Sequence, residues 1–541
     1  MLTAFAYYER TTLAAAYLHG GAAYDEATPF EGEGRKQKAS SLGGGERQML
    51  AIASAQMMKP SLLILHEPTT GLAPQLVHDT TERTVSMNKA GTTILWVGEE
   101  NPMDVMSVAD SVYLLQGATV TQSRARHALR SESRQHVSRL VEGGSMLLEP
   151  GRIAGLRIPN RVLRSATCEA MGTDRGEVTP HLIELHRQLT RGHVGATVLG
   201  HAYVHPRGQA SRHQTGIYDD SLIPGLAALV QAVHREGGLV FAQIAHAGGQ
   251  SHISAITKLA PSPIPNALLG VMPREASEAE IQEAIAAFGA AAGRAVKAGF
   301  DAVEIHAANG YLISEFSSPY ANRRGDAWGG DASRRSAFIN AVYDAVRAAV
   351  GPEYPVLLKL GMVDMVDGGL GLDESLERLA SLQARGLDGV QISCGVMSSG
   401  DDSCHTYVAV DGKQAVRDIL PWRLAAPAAP EAYWVPWAQA ARSRVPGLPI
   451  MLVGGMRSVQ VMERVLSSGA ADFVCIGRPL VREPDFVLQA ERCRKDTLDC
   501  TSCNLCLIHD GYNELQCWRT PRHRLLEHAY MEFTGKLRAQ H

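Results

Sequence analysis

From Met146 onward, short apolar runs recur along the chain with amphipathic stretches between them. The runs are Arg161–Ser165, Thr197–Ala202, Leu239–Ile244, Ala302–His306, Val356–Leu360, Gly389–Ser393, Ile450–Val453 and Phe473–Ile476. Between them, segments such as Glu278–Ala298 and Arg334–Val350 carry Ala, Phe, Val and Ile at helical spacing. Strands that alternate with helices in this way predict parallel pairing and an α/β fold closed into a (β/α)8 TIM barrel. The spread is long for such a barrel and fits one with insertions. Two insertions stand out: Ile256–Pro273 after the third strand, and Gly395–Gly447 with Trp422, Tyr433, Trp434 and Trp437. The second is expected to form part of the mouth or a surface subdomain, and together the two would shape substrate choice.

A barrel of this kind places its chemistry at the C-terminal ends of the strands. The unusual residues fall there. Ala166, Thr167 and Cys168 follow the first strand, Gln243 and His246 flank the end of the third, and His306 and Asn309 follow the fourth. Lys359 ends the fifth, Gly454 and Gly455 follow the seventh, and Gly477 and Arg478 follow the eighth. Glycines there let backbone amides approach a phosphate closely, and Arg457 or Arg478 can neutralise it; phosphate sites after strands seven and eight recur in this fold.

The text before Met146 has another character, so the 541 residues divide into 1–143, a barrel over 146–498, and a tail over 499–541. Composition adds mainly exclusions. A 45% hydrophobic, 20% charged chain is ordinary for a globular protein, and a formal charge of −4 with no basic run speaks against a nucleic-acid partner. No segment reaches the roughly 18 to 20 apolar residues of a membrane span. The N-terminus shows no charged-then-apolar leader, which makes a cytoplasmic location the expectation. The nine cysteines are too few for a disulfide scaffold in a chain of this length, yet four crowd between Cys500 and Cys517.

Val303-Glu-Ile-His-Ala-Ala-Asn-Gly-Tyr-Leu312, followed by Glu315-Phe316, Ser318-Pro319, Asn322, Arg323 and Trp328-Gly-Gly330, resembles the signature segment of old yellow enzymes. Asn160-Arg161, Gly454-Gly-Met-Arg457 and Ala471-Asp-Phe-Val-Cys-Ile-Gly-Arg-Pro-Leu480 match further segments of that family in order. The resemblance implies FMN as cofactor, NADH or NADPH as electron donor, and a small-molecule substrate. It implies that His306 and Asn309 donate hydrogen bonds to one carbonyl or nitro oxygen, and that Tyr311 protonates the α-carbon. Gln243 would meet the flavin pyrimidine edge. Lys359, where many relatives carry Arg, would put a cation near the flavin N1–O2 region without the bidentate fork. Cys168 matches a cysteine that tunes the flavin in some members; a one-residue shift would put Thr167 there, and an inert buried thiol is an equal alternative.

The first piece resembles the second half of an ABC ATPase of the branched-chain amino-acid importer type. Leu42-Gly-Gly-Gly-Glu46 stands for the signature motif, Leu62-Leu-Ile-Leu-His-Glu-Pro68 for the Walker B strand, and Thr70-Gly-Leu72 for the D-loop. No phosphate-binding Gly-x-x-x-x-Gly-Lys-Ser/Thr loop precedes them. His66 replaces the magnesium-binding carboxylate, and Gly43 stands at the signature serine. Glu67 holds the place of the catalytic base, and Val97-Gly-Glu-Glu-Asn101 offers no switch histidine. The expectation is a truncated remnant of a P-loop ABC-ATPase fold, without activity of its own.

Cys500-Thr-Ser-Cys503-Asn-Leu-Cys506, then Cys517, suits either a [4Fe–4S] cluster or a tetrahedral zinc. It resembles the segment after the barrel in trimethylamine dehydrogenase and 2,4-dienoyl-CoA reductase, where a cluster exchanges electrons with FMN. An external electron carrier would then be a partner; a homo-oligomer is also left open. The leading reading is an NAD(P)H:flavin ene-reductase acting on an electron-poor alkene. The alternatives are a flavin amine dehydrogenase or demethylase, and a non-enzymatic ABC-associated nucleotide-binding subunit. The His306–Asn309–Tyr311 arrangement favours reduction, because amine oxidation needs no carbonyl clamp.

Overall fold

The computed structural model describes residues 2–4, 52, 55, 60–69, 74–97, 108–116, 119–125, 145–267, 269–397, 431–492, 495–500, 506 and 514–517. The chain divides into two compact units, Met1–Ser145 and Met146–His541.

In the first unit, β1 (Leu2–Ala4), β2 (Leu62–His66), β3 (Thr93–Val97), β4 (Ser111–Gln116) and β5 (Thr119–Ala125) form one sheet in the order β2-β3-β1-β4-β5. The pairs β2–β3, β3–β1 and β1–β4 are parallel, and β5 returns antiparallel to β4. Helix α1 (Pro74–Lys89) links β2 to β3. Leu65, Met87, Ile94 and Trp96 bury a small core between sheet and helix.

The second unit opens with a hairpin, β6 (Gly151–Ile153) and β7 (Leu156–Ile158). Eight parallel strands then close a barrel: β8 (Val162–Arg164), β9 (Ala196–Tyr203), β10 (Val240–Ala245), β13 (Ala302–Ala307), β14 (Val356–Gly361), β15 (Gly389–Ser393), β16 (Ile450–Leu452) and β17 (Phe473–Ile476). The minor pair β11 (Leu259–Ala260) and β12 (Arg274–Glu275) lies in the long loop after β10. Every barrel strand lies within one residue, at each end, of a run read from the sequence. Helices α2 (Pro180–Arg191), α3 (Ile223–Arg235), α4 (Glu278–Ala298), α7 (Ala337–Val350), α8 (Leu372–Ala384), α9 (Val435–Arg444) and α10 (Val459–Ser467) cross between strands, with short α5 (Leu312–Ser317) and α6 (Ala332–Arg335) in the loop after β13. Strong stop signals bound the longest helix. Ser277 and Glu280 form a reciprocal capping box at the start of α4, and Gly299 takes a left-handed φ of 88° at its end.

Strand alternation sorts the barrel into shells. Val240, Ala242, Ile244, Val303, Ile305, Leu358, Leu360, Val390 and Ile392 pack outward into the main core with the helices. The residues between them face inward. Phe241, Ala302, Leu357, Met451 and Phe473 form a separate apolar cluster with Ile153 and Ile158 of the hairpin, which caps the barrel floor. Two residues on from Phe241, Ala302 and Leu357, the inward positions are polar, Gln243, Glu304 and Lys359, and they are joined by Gln391 and the thiol of Cys475, while Val453 after Met451 stays apolar. The inside of the barrel therefore changes from apolar floor to polar ceiling within one strand repeat.

Candidate active site

Above that polar layer lies a cavity of about 140 Å³, open at its mouth. Its walls include His306, Asn309 and Tyr311, and also Ala166, Thr167, Cys168, Gln243, Lys359, Gly454, Gly455, Gly477 and Arg478. Residues read from six different strand ends thus meet at one place. His201, Gln250, Tyr433 and Trp434 line it too.

The ceiling of the barrel is a connected network. The side-chain amide of Gln243 donates to Glu304 at 2.5 Å. Lys359 Nζ lies 3.5 Å from Ser165 Oγ, and Ser165 donates to Gln391 Oε1 at 2.9 Å. The Gln391 amide in turn donates to Cys475 Sγ at 3.4 Å. Burial pushes the Glu304 carboxyl up and the Lys359 ammonium down, and the attraction between the two opposes both shifts. Glu304 Oε1 is buried with no hydrogen-bond partner among the described residues.

Backbone and neighbours set the donors at the mouth. His306 Nδ1 accepts from the amide of Ala308 at 3.3 Å. Burial and the Lys359 charge hold its imidazolium form well below the usual range. The ring is neutral, with its proton on Nε2, and so can donate into the cavity. Asn309 takes a left-handed φ of 58°, a conformation that Asn tolerates better than most residues. Its Nδ2 donates to Cys394 Sγ at 3.4 Å and its backbone amide to Cys394 O at 2.9 Å, so β15 orients this carboxamide. Gln250 Nε2 donates to Asn309 O at 3.0 Å, and a Cβ at Gly310 would come within 2.5 Å of Gln250 Oε1. Tyr311 Oη lies 3.1 Å from His201 Nε2.

The residues present fit a flavin mononucleotide. Gln243 donates from its amide nitrogen to Glu304, and its carbonyl oxygen could accept from an imide N–H. Lys359 supplies a buried cation for an electron-rich ring edge. Gly454 and Gly455 turn with φ of 138° and 72°, which glycine alone adopts readily, and Arg478 stands beside Gly477 on the same wall. A Cβ at Gly477 would press against Thr167 at 3.3 Å.

Some expectations are sharpened and others corrected. Of the two arginines considered for a phosphate, only Arg478 lines the cavity; Arg457 is buried and lies 3.9 Å from Glu431. His246 is also buried, against a separate hollow with His205. The Cys168 thiol faces the cavity and meets Ser211 Oγ at 3.6 Å, and Thr167 is held at 2.6 Å by Arg164, itself paired with buried Glu169 at 2.5 Å. Among the described residues, Ile256–Pro273 contributes nothing to the cavity wall, whereas Gly395–Gly447 contributes Tyr433 and Trp434. Trp434 stacks on Trp437; Trp422 lies outside the described residues. Cys503 also lies outside them. Leu515, two residues before Cys517, donates its amide to Glu169 O at 2.8 Å, next to the Cys168 loop. His201 was missed because a histidine inside an apolar strand gives no sequence signal of its own.

The closed parallel barrel and a cavity built for a flavin at its C-terminal mouth define the class, a flavin-dependent oxidoreductase. Residues 146–407 match the model of the NADH:flavin oxidoreductase / NADH oxidase family. An NADPH dehydrogenase of Geobacillus thermodenitrificans is 35% identical over 63% of this chain and 92% of its own. The NADH oxidase of Thermoanaerobacter brockii is 32% identical over 66% of this chain; the chain spans about half, 53%, of that relative. A solved 2-naphthoyl-CoA reductase superposes with a TM-score of 0.62 at 25% identity, over 70% of this chain and 58% of its own. The chain belongs to the NADH:flavin oxidoreductase / NADH oxidase family. No described helix is long and apolar enough to cross a membrane.

Glu315 on α5 braces the mouth from behind. Both its oxygens accept from the Gly249 amide, at 3.2 and 3.0 Å, and a Cβ at Gly248 would strike the carboxyl. This clamp sets the turn that carries Gln250 into the cavity. Burial pushes the carboxyl up from 4.5 to about 8, so the folded protein keeps a proton that the unfolded chain has lost. Stability is therefore lost as pH rises between those values, with a limiting slope of about 1.4 kcal/mol per pH unit. Urea unfolding of wild type and Glu315→Gln is expected to show wild type losing ground steadily from about pH 5 to about pH 8. A difference that stays flat across that range would reject a buried, protonated Glu315.

Proposed function

We propose that residues 146–498 form an ene-reductase, with NADH or NADPH as donor and an α,β-unsaturated carbonyl compound or related electrophile as acceptor. The observation that carries the reading is the convergence of His306, Asn309 and Tyr311 on the wall of the cavity that Gln243, Lys359 and the glycine loops also line. FMN, when bound, would supply hydride transfer between NAD(P)H and an electron-poor alkene. His306 and Asn309 donate to the carbonyl or nitro oxygen, drawing charge onto it as the double bond is reduced. Tyr311 gives its phenolic proton to the carbon beside that group. Gln243 orients the pyrimidine edge, Lys359 offsets negative charge on the reduced ring, and Gly454, Gly455, Gly477 and Arg478 hold the phosphate. Ala166, Thr167 and Cys168 line the ring from the first loop.

NADPH oxidation with 2-cyclohexenone should exceed that with a tertiary amine under matched conditions. His306→Ala and Asn309→Ala should each lower turnover of the enone by about 10²- to 10³-fold. Preference for the amine, with both variants as fast as wild type on the enone, would support the dehydrogenase reading instead.

We infer further that residues 499–541 carry a [4Fe–4S] site of Cys500, Cys503, Cys506 and Cys517, able to serve an external electron carrier. Their spacing supports this, as does the seat of Leu515 beside the Cys168 loop. Iron and sulfide in equal amounts, about four of each per chain, are expected; zinc or no metal would reject the cluster. Residues 1–143 read as the inactive remnant of an ABC ATPase half. In support, the expected Walker B run forms β2 beside parallel β3, with His66 rather than a carboxylate at its end. Equilibrium dialysis of the whole chain should detect no Mg-ATP binding at micromolar concentration, and tight binding would overturn that reading.

A further inference from the structure

We propose that His201 is a positioning residue for proton delivery: its Nε2–H holds the oxygen of Tyr311 as that phenol gives its proton to the substrate carbon. The inference rests on the reading of Tyr311 as the acid.

The geometry is specific. His201 lies on β9, every residue of which is buried, and its Nε2 stands 3.1 Å from Tyr311 Oη. The two rings are tilted with centroids 5.4 Å apart, and the His306 ring lies 6.2 Å from His201 and perpendicular to it. Both His201 and Tyr311 line the cavity. The backbone of His201 is pinned from behind, since Gln214 Nε2 donates to its carbonyl at 2.5 Å while Gln214 Oε1 accepts from Ala210 N at 2.6 Å.

Charge decides what this imidazole can do. Burial, helped by the nearby Lys359 cation, lowers its ionisation to about 4. The ring is therefore neutral at working pH and carries a single N–H. With that hydrogen on Nε2, His201 donates to the Tyr311 oxygen, and the phenol must direct its own hydrogen elsewhere, into the cavity. Hydride arrival at the β-carbon brings an electron pair. The O–H bond of Tyr311 then breaks, its proton joins the α-carbon, and the bonding pair stays on the phenolate oxygen. Water later returns the proton to Tyr311. A hydrogen bond to an anion is stronger than one to a neutral oxygen, so the His201 contact tightens as charge develops. An already protonated imidazolium would add a second cation beside Lys359. A neutral ring avoids that and still supports the anion.

The test uses the whole chain loaded with FMN, and compares wild type with His201→Phe, His201→Gln and Tyr311→Phe. Nitrogen-15 histidine NMR should find one neutral ring in the Nε2–H form that disappears in His201→Gln and whose Nε2 signal moves in Tyr311→Phe. In rapid kinetics, His201→Phe should slow enone reduction by roughly 10- to 100-fold, and should affect reduction by NADPH far less. His201→Gln, which keeps an N–H donor, should recover most of the loss. An Nδ1–H ring, an Nε2 signal indifferent to Tyr311, or His201→Phe reducing enone at the wild-type rate would each overturn the inference. If Tyr311→Phe itself turns over normally, the reading of Tyr311 fails; if only Tyr311→Phe is slow, His201 alone is rejected.

Discussion

The constraint on which the rest depends is the burial of polar groups in the upper half of the barrel. A buried carboxyl and a buried ammonium are costly unless each finds partners. Here Glu304 and Lys359 face one interior, with Gln243 bonded to the first and Ser165 near the second. The apolar floor of Phe241, Leu357 and Phe473 leaves these groups no solvent below. Gln243 and Lys359 also line the cavity above. A flat ring with one imide edge and one electron-rich edge would match what these two side chains offer there, which is the fit proposed for FMN.

The catalytic donors are stacked on that platform by alternation along single strands. Glu304 and His306 are two residues apart on β13, the first in the buried polar layer and the second on the cavity wall. Lys359 pairs in register with His306 across β13–β14, and its charge helps keep that histidine neutral. The loop after β13 then supplies Asn309 and Tyr311, held by contacts from three directions: Cys394 just after β15, Gln250 after β10 and His201 on β9. The site is thus oriented by neighbours from around the barrel, while the chemistry comes mainly from one strand and its loop.

Much of this was legible in the sequence, for physical reasons. Strands buried on both faces are short continuous apolar runs, so all eight could be placed to within a residue. Residues such as Gln243, Lys359 and His306 stood out because polar groups at the ends of such runs have few structural uses. His201 sits inside an apolar run and is distinguished only by what lies opposite it in space. The bond from Asn309 to Cys394, and the choice of Arg478 over Arg457, likewise depend on contacts between distant segments. The aromatic residues of Gly395–Gly447 stood out in the sequence, and Tyr433 and Trp434 of that segment line the cavity.

The account's central claim is that this barrel holds FMN at its C-terminal mouth and reduces it with a nicotinamide. The most direct measurement is the visible absorbance spectrum of the purified whole chain, taken anaerobically before and after addition of NADPH or NADH. The account predicts flavin bands, with FMN released on denaturation at about one per chain, and bleaching of those bands by the nicotinamide. A chain that contains no flavin and cannot be reconstituted with FMN would contradict it.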